Sequence, residues 1–197
     1  MKRILIIYTG GTIGMKQDPV DGTLRPFDFS ELLKEVPELR KFAFRIDTYT
    51  FDPLIDSSDV EPSLWQALAR LICDRYDSYD GFVILHGTDT MAYSASALSF
   101  MLDGLSKPVI FTGSQLPIGI PRTDGKENLI SAVEICSAKD SGGKAMVPEV
   151  AICFDASLLR GKRIPGVLAA EKCSSSVISF ISVSFPVSEV APRDRHD

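Results

Sequence analysis

Ile4-Leu5-Ile6-Ile7-Tyr8-Thr9-Gly10-Gly11-Thr12-Ile13-Gly14 is the stretch from which the fold can be read. It opens with five consecutive apolar residues rich in β-branching, the pattern of a strand covered on both faces. The run ends in glycines, which allow a tight turn and bring main-chain N–H groups close to a ligand. Met1-Lys2-Arg3 puts positive charge ahead of the run, as a secretion signal would. The apolar run is too short for such a signal, however, and no small-residue cleavage site follows, so the reading is a buried first strand.

The same design recurs downstream. Gly81-Phe82-Val83-Ile84-Leu85 is a second buried run, and His86-Gly87-Thr88-Asp89-Thr90 follows it where a helix begins. Around these two stretches strands alternate with helices. Phe44, Ile46 and Thr48 alternate like a strand. Asp59-Val60-Glu61-Pro62 opens a helix whose Leu64, Leu68, Leu71 and Ile72 form the stripe of a helix lying on a sheet. Thr90 to Leu102 reads as a helix stopped by Gly104, Pro108 to Thr112 as a strand, Asp124 to Ala138 as a helix and Glu149 to Phe154 as a strand. Asp28 can cap a short helix that Pro37 closes, and Lys16 to Arg25 reads as a mobile polar loop. The alternation predicts a three-layer α/β domain with a mostly parallel sheet and helices on both faces, Rossmann- or flavodoxin-like. Sheets of this kind bind ligands beyond the carboxyl ends of their strands, which is where both glycine–threonine loops fall.

Composition narrows the function. The 197 residues carry a net charge of −5, which argues against a nucleic-acid partner. No apolar stretch approaches the roughly 20 residues of a membrane span. The four cysteines, Cys73, Cys136, Cys153 and Cys173, form no C-x-x-C pair, and with two histidines in the chain a zinc site is not expected. Scattered thiols point to a reducing compartment, and the expected location is the cytoplasm.

The chemistry of the two loops is narrowed by elimination. A phosphate loop requires G-x-x-x-x-G-K-[ST], but Met15 stands five places after Gly10; G-x-G-x-x-G fails because Thr12 replaces the second glycine. A serine triad is disfavoured by the lack of G-x-S-x-G and of a suitable histidine: His86 ends a buried strand and His196 lies in a charged terminus. A threonine hydroxyl needs a base or proton relay, and Thr88 with Asp89 could supply part of one if a cation keeps the carboxylate ionised. A turn of no chemical importance stays open for the first loop, and a helix N-cap for the second.

Taken together, Ile6 to Gly14 and Gly81 to Met91 resemble the two active-site signatures of the L-asparaginases. Asp56-Ser57-Ser58-Asp59, the helix Met91 to Leu102, and Thr112-Gly113-Ser114-Gln115-Leu116-Pro117 with Asp124-Gly125 and Asn128-Leu129 resemble the cytoplasmic, type I branch. The likeness runs from about Lys2 to Arg163. It implies hydrolysis of L-asparagine to L-aspartate and ammonia through an acyl-enzyme on Thr12, with Thr88, Asp89 and a lysine as the second catalytic group. It also implies substrate contacts from Gly11, Asp56, Ser57, Ser58, Gly87, Thr88, Asp89 and Ser114, no metal or organic cofactor, and assembly into homodimers or tetramers. Related readings are a glutaminase, the amidase subunit of a tRNA amidotransferase, or an impaired fragment that only binds asparagine or aspartate.

Three departures accompany the likeness. Arg160-Gly161-Lys162-Arg163 is followed by Ile164-Pro165-Gly166, so Gly166 occupies the place of the family lysine, with Lys162 as a nearby substitute if the backbone shifts. The loop Gly22-Thr23-Leu24-Arg25-Pro26 lacks the tyrosine often found there. The family's second domain is expected to be missing. Residues 1–163 are therefore expected to form the amino-terminal catalytic domain. Residues 164–197 are expected to be a divergent tail from truncation or a frameshift, in which Val177 to Phe185 alternates like a strand.

Overall fold

The computed structural model describes residues 1–18, 21–26 and 32–163. Its centre is a six-stranded sheet. The strands are β1 (Lys2–Tyr8), β4 (Phe44–Thr50), β5 (Gly81–Leu85), β6 (Val109–Thr112), β7 (Val150–Phe154) and β8 (Ser157–Arg160), in the spatial order β4-β1-β5-β6-β7-β8. All pairings are parallel except β7 with β8. β1 is flanked by β4 and β5, so that Ile4 lies opposite Ile46 on one side and Gly81 on the other.

Because side chains alternate along a strand, each central strand feeds two cores. Ile4, Ile6 and Tyr8 of β1, with Val83 and Leu85 of β5, enter one core, shared with Leu129, Val133 and Cys136 of α4 (Asp124–Ser137). Leu5 and Ile7, with Phe82 and Ile84, enter the other. That second core is closed by Leu64, Leu68 and Ile72 of α2 (Pro62–Arg75) and by Met91, Ala95 and Leu98 of α3 (Met91–Met101). Leu71 of the predicted stripe is only partly buried and packs at the edge of this core. Among the described residues no helix is long and apolar enough to cross a membrane.

Three local features differ from the sequence reading. The predicted mobile loop contains a hairpin, β2 (Met15–Gln17) with β3 (Leu24–Pro26), tied by Asp21, which accepts from the Thr23 amide and hydroxyl and from Arg25. β8 has no counterpart in that reading. It folds back through Asp155 and Ala156, both at positive φ (48° and 55°), as a two-residue primed turn requires. Between β3 and β4 the chain forms α1 (Leu32–Glu35), and Pro37 starts a separate 3₁₀ turn through Lys41 rather than only ending a helix. Asp28, the expected cap, and the whole stretch from 164 to 197, with Gly166 and the alternating Val177 to Phe185, lie outside the described residues.

Candidate active site

Strand order locates the site. In the central sheet the strand order runs one way from β1 to β4 and then reverses, the chain crossing back past β1 to β5 and on to β6 and β7, so the crevice opens beyond the carboxyl ends of β1 and β5. Thr9 to Thr12 follow β1, and His86 to Thr90 follow β5. The two strand ends are joined by Thr9, whose amide and hydroxyl both donate to the Leu85 carbonyl, at 3.0 and 2.9 Å. Tyr8 donates its hydroxyl to the Gly11 carbonyl at 3.1 Å, and burial pushes its phenol well above the usual range. The loop after β4 is tied in by the Ile55 amide, which donates to the Thr9 carbonyl at 2.9 Å.

Gly11 and Gly87 are where the two signature loops touch. Gly11 has φ +90°, and a Cβ built on it would fall 2.6 Å from the Gly87 amide nitrogen. A side chain on Gly87 would meet Ser57. These glycines are therefore needed for close approach of the two loop backbones to each other and of the Ser57 side chain to Gly87, and they leave Thr12 and Thr88 as neighbours of the contact on facing loops. Thr12 heads a 3₁₀ turn (Thr12–Gly14), and both threonines are half-buried.

Ser57, largely buried, donates its hydroxyl to Asp89 Oδ2 at 2.9 Å, while Thr90 Oγ1 donates to the Ser57 carbonyl at 2.7 Å. Thr90 occupies the cap of α3 without a side-chain capping bond, and Asp89 is engaged by Ser57. Asp89 is nevertheless exposed, so its carboxylate can meet an ammonium group arriving from solvent.

The other predicted residues are placed differently. Asp56 and Ser58 are exposed and bonded to each other: Asp56 Oδ1 accepts from the Ser58 amide and hydroxyl, both at 2.9 Å, and the amide contact chiefly holds its carboxyl below the usual carboxylate range. Ser114 is buried on the loop after β6, donating to the Leu116 carbonyl at 2.6 Å. That loop is held by Asp124, which accepts from the Gln115 and Leu116 amides, and by Asn128, which donates to the Gly113 carbonyl. Lys162 does not reach Thr88 and Asp89. β8, antiparallel to β7, carries the chain back toward the amino-terminal ends of the parallel strands, and Lys162 Nζ lies 3.8 Å from Asp103 Oδ1, just past the far end of α3. Eleven helical residues separate the two ends of α3, roughly 16 Å of rise. Among the described residues no cluster of His, Cys, Asp and Glu side chains could hold a metal.

Comparison with known proteins decides the lineage. The family model described as "Asparaginase, N-terminal" matches residues 3–187. The chain belongs to the asparaginase family. It is 47% identical over 170 residues to L-asparaginase 1 of Escherichia coli K12, covering 82% of this chain and 46% of that protein. The crystal structure of L-asparaginase I from Vibrio cholerae superposes with a TM-score of 0.69 at 45% identity, over 82% of this chain and 47% of that one. The L-asparaginase of Dirofilaria immitis is 40% identical over 187 residues, 81% of this chain and 30% of that protein. The chain thus spans about half the length of the first two. Within this candidate site, sequence reasoning misses the anchoring bonds from Thr9, Tyr8 and Thr90. Their hydroxyl-to-carbonyl contacts join residues up to 76 positions apart, a separation no local pattern encodes.

Proposed function

We propose that this chain carries the amide-hydrolysing site of an L-asparaginase. Thr12 attacks the side-chain amide carbon of L-asparagine, ammonia leaves, and water releases L-aspartate from the acyl-enzyme. Asp89, oriented by Ser57, receives the substrate's ammonium group. Thr88 and main-chain N–H groups of the touching loops stabilise the oxyanion, a service each donor typically performs at about 10²–10³ in rate. The observation that carries this reading is the backbone contact of Gly11 with Gly87, which sets two threonine loops against each other at the topological switch point. Residues 1–163 serve as the catalytic unit with 164–197 as a divergent tail. A cytoplasmic location fits free Cys73, Cys136 and Cys153, and the family's habit of homo-oligomers is taken as the working assembly.

A second reading has one observation in its favour. Lys162 lies beside Asp103, and glycine stands at position 166, so a binding-only fragment would lack the cation that completes the Thr88–Asp89 pair. Preference for glutamine is a lesser variant, differing by one methylene and about 1–3 kcal/mol. Ammonia release from L-asparagine, measured beside Thr12→Ala, separates the first two. Hydrolysis predicts that the variant loses at least about a thousandfold in kcat while still binding L-aspartate. A folded parent chain that binds L-aspartate without releasing ammonia would establish the fragment instead.

A further inference from the structure

Beneath the second threonine loop runs a buried polar chain that the mechanism above does not use. Trp65 of α2 donates its indole N–H to Ser94 Oγ of α3 at 2.9 Å. Ser94 Oγ lies 2.9 Å from His86 Nε2, and His86 Nδ1 lies 2.8 Å from the Gly87 carbonyl oxygen. Ser94 is fully buried and His86 is 1% exposed, with the Phe111 ring tilted against the imidazole at 5.8 Å.

The direction of every proton in this chain follows from the two ends. An indole nitrogen can only donate and a carbonyl can only accept. His86 Nδ1 must therefore carry hydrogen. Burial favours the neutral ring, which leaves a lone pair on Nε2. The Ser94 hydroxyl, already accepting from Trp65, completes the chain by donating to that lone pair. One tautomer satisfies all four groups.

The last link acts on the active site. A trans peptide is planar, with its C=O and N–H pointing in opposite directions. A Gly87 carbonyl drawn inward to His86 turns the Thr88 N–H the other way, out of the core. Gly11 packs against the Gly87 amide on that same loop. We propose that His86 is a positioning residue: through the Trp65–Ser94–His86 chain it fixes the Gly87–Thr88 peptide plane and so aims the Thr88 N–H at the reacting carbonyl oxygen. This rests on the hydrolase reading for its catalytic consequence, while the tautomer and the peptide orientation stand independently of it.

The test has a spectroscopic arm and a kinetic arm. In the full chain, imidazole ¹⁵N shifts should show His86 neutral with hydrogen on Nδ1 across roughly pH 5.5 to 8, the interval in which an ordinary histidine titrates. Hydrogen on Nε2, or ordinary titration in that range, overturns the proposal. His86→Asn keeps an N–H near the Nδ1 position, whereas His86→Leu removes it. The Leu variant is expected to shift the Thr88 amide resonance and to lower kcat about tenfold with KM within twofold, and the Asn variant to restore both. Ser94→Ala, which spares the ring, should give an intermediate loss and serves where the Leu variant does not fold. Equal kcat and equal Thr88 shifts in Leu and Asn variants of like thermal midpoint would overturn it. If the parent chain releases no ammonia, the hydrolase reading falls, and the ring tautomer and the Thr88 shift decide this proposal alone.

Discussion

A buried neutral imidazole makes the folded chain sensitive to mild acid. Burial pulls the His86 pKa down, against a smaller upward pull from the Gly87 carbonyl, whereas the unfolded chain titrates near about 6.5. Between the folded value and about 6.5 the unfolded state binds the proton and the native state does not, so stability rises with pH in that window. The His86 contribution is complete above about 6.5 and is lost as pH falls below it, by at most about 1.4 kcal/mol per pH unit. Asp21, held down chiefly by the Thr23 hydroxyl, and Asp56, held down by the Ser58 amide, lose their contributions only near and below the ordinary carboxylate range. Glu134, whose carboxyl burial raises, pulls with the opposite sign, and comparing two chains that both contain it removes its effect. Urea unfolding at pH 7.5 and 5.5 should show the parent losing on the order of 1 kcal/mol more than His86→Asn over that interval. Equal losses in the two chains would assign the acid sensitivity to another group.

At the scale of elements, the meeting of the two loops gives a matched pair of substitutions. Gly11 and Gly104 both have positive φ, +90° and +68°, so alanine is conformationally strained at each. A Cβ on Gly104 would touch nothing within 4 Å, while one on Gly11 would strike the Gly87 backbone at 2.6 Å. Gly104→Ala should cost about 1 kcal/mol and leave L-aspartate binding alone. Gly11→Ala should cost at least about 2 kcal/mol and abolish that binding, because backbone cannot move aside as a flexible side chain can. Calorimetric titration with urea midpoints checks both, and equal behaviour of the two variants would deny the loop contact its role. The same elements show what is legible in the sequence. β1, β5 and the α2 stripe are readable because unbroken apolar runs and helical spacing are local signals of burial. β8 is not, since its turn uses Asp155 and Ala156 at positive φ without glycine or asparagine to announce it. The hairpin under Lys16 to Arg25 is masked by its polarity, its order coming from side-chain bonds of Asp21. Of the site, the loops are legible from their glycines and threonines, and the Ser57–Asp89 bond is not, because it spans 32 residues.

For the whole molecule, the telling fact is that one sheet serves two cores. Leu68 of α2 and Leu129 of α4 are both fully buried, but on opposite faces. Helices packed on opposite faces of a sheet lie about 20 Å apart, two layer spacings of about 10 Å, so the two leucines share no partner side chain. They are nonetheless joined through β1, β5, β6 and β7, whose alternate residues supply both cores. If either helix unfolded alone, it would expose half the side chains of those strands, so neither face is expected to unfold separately. Leu68→Ala and Leu129→Ala should each cost about 2–5 kcal/mol, the range for emptying a buried leucine site. Both should shift one urea transition without changing its slope, and the double variant should sum them within about 0.5 kcal/mol. The expected outcome is one transition seen alike by far-ultraviolet circular dichroism and by fluorescence of Trp65, which sits on α2. Two separated transitions, with each variant moving only one, would mean that the faces fold independently and that the crevice between β1 and β5 can open without global unfolding. A single shared transition means that the loops at the switch point are held by the full stability of the sheet, which is what two threonines on loops from separate strands need in order to keep a fixed distance.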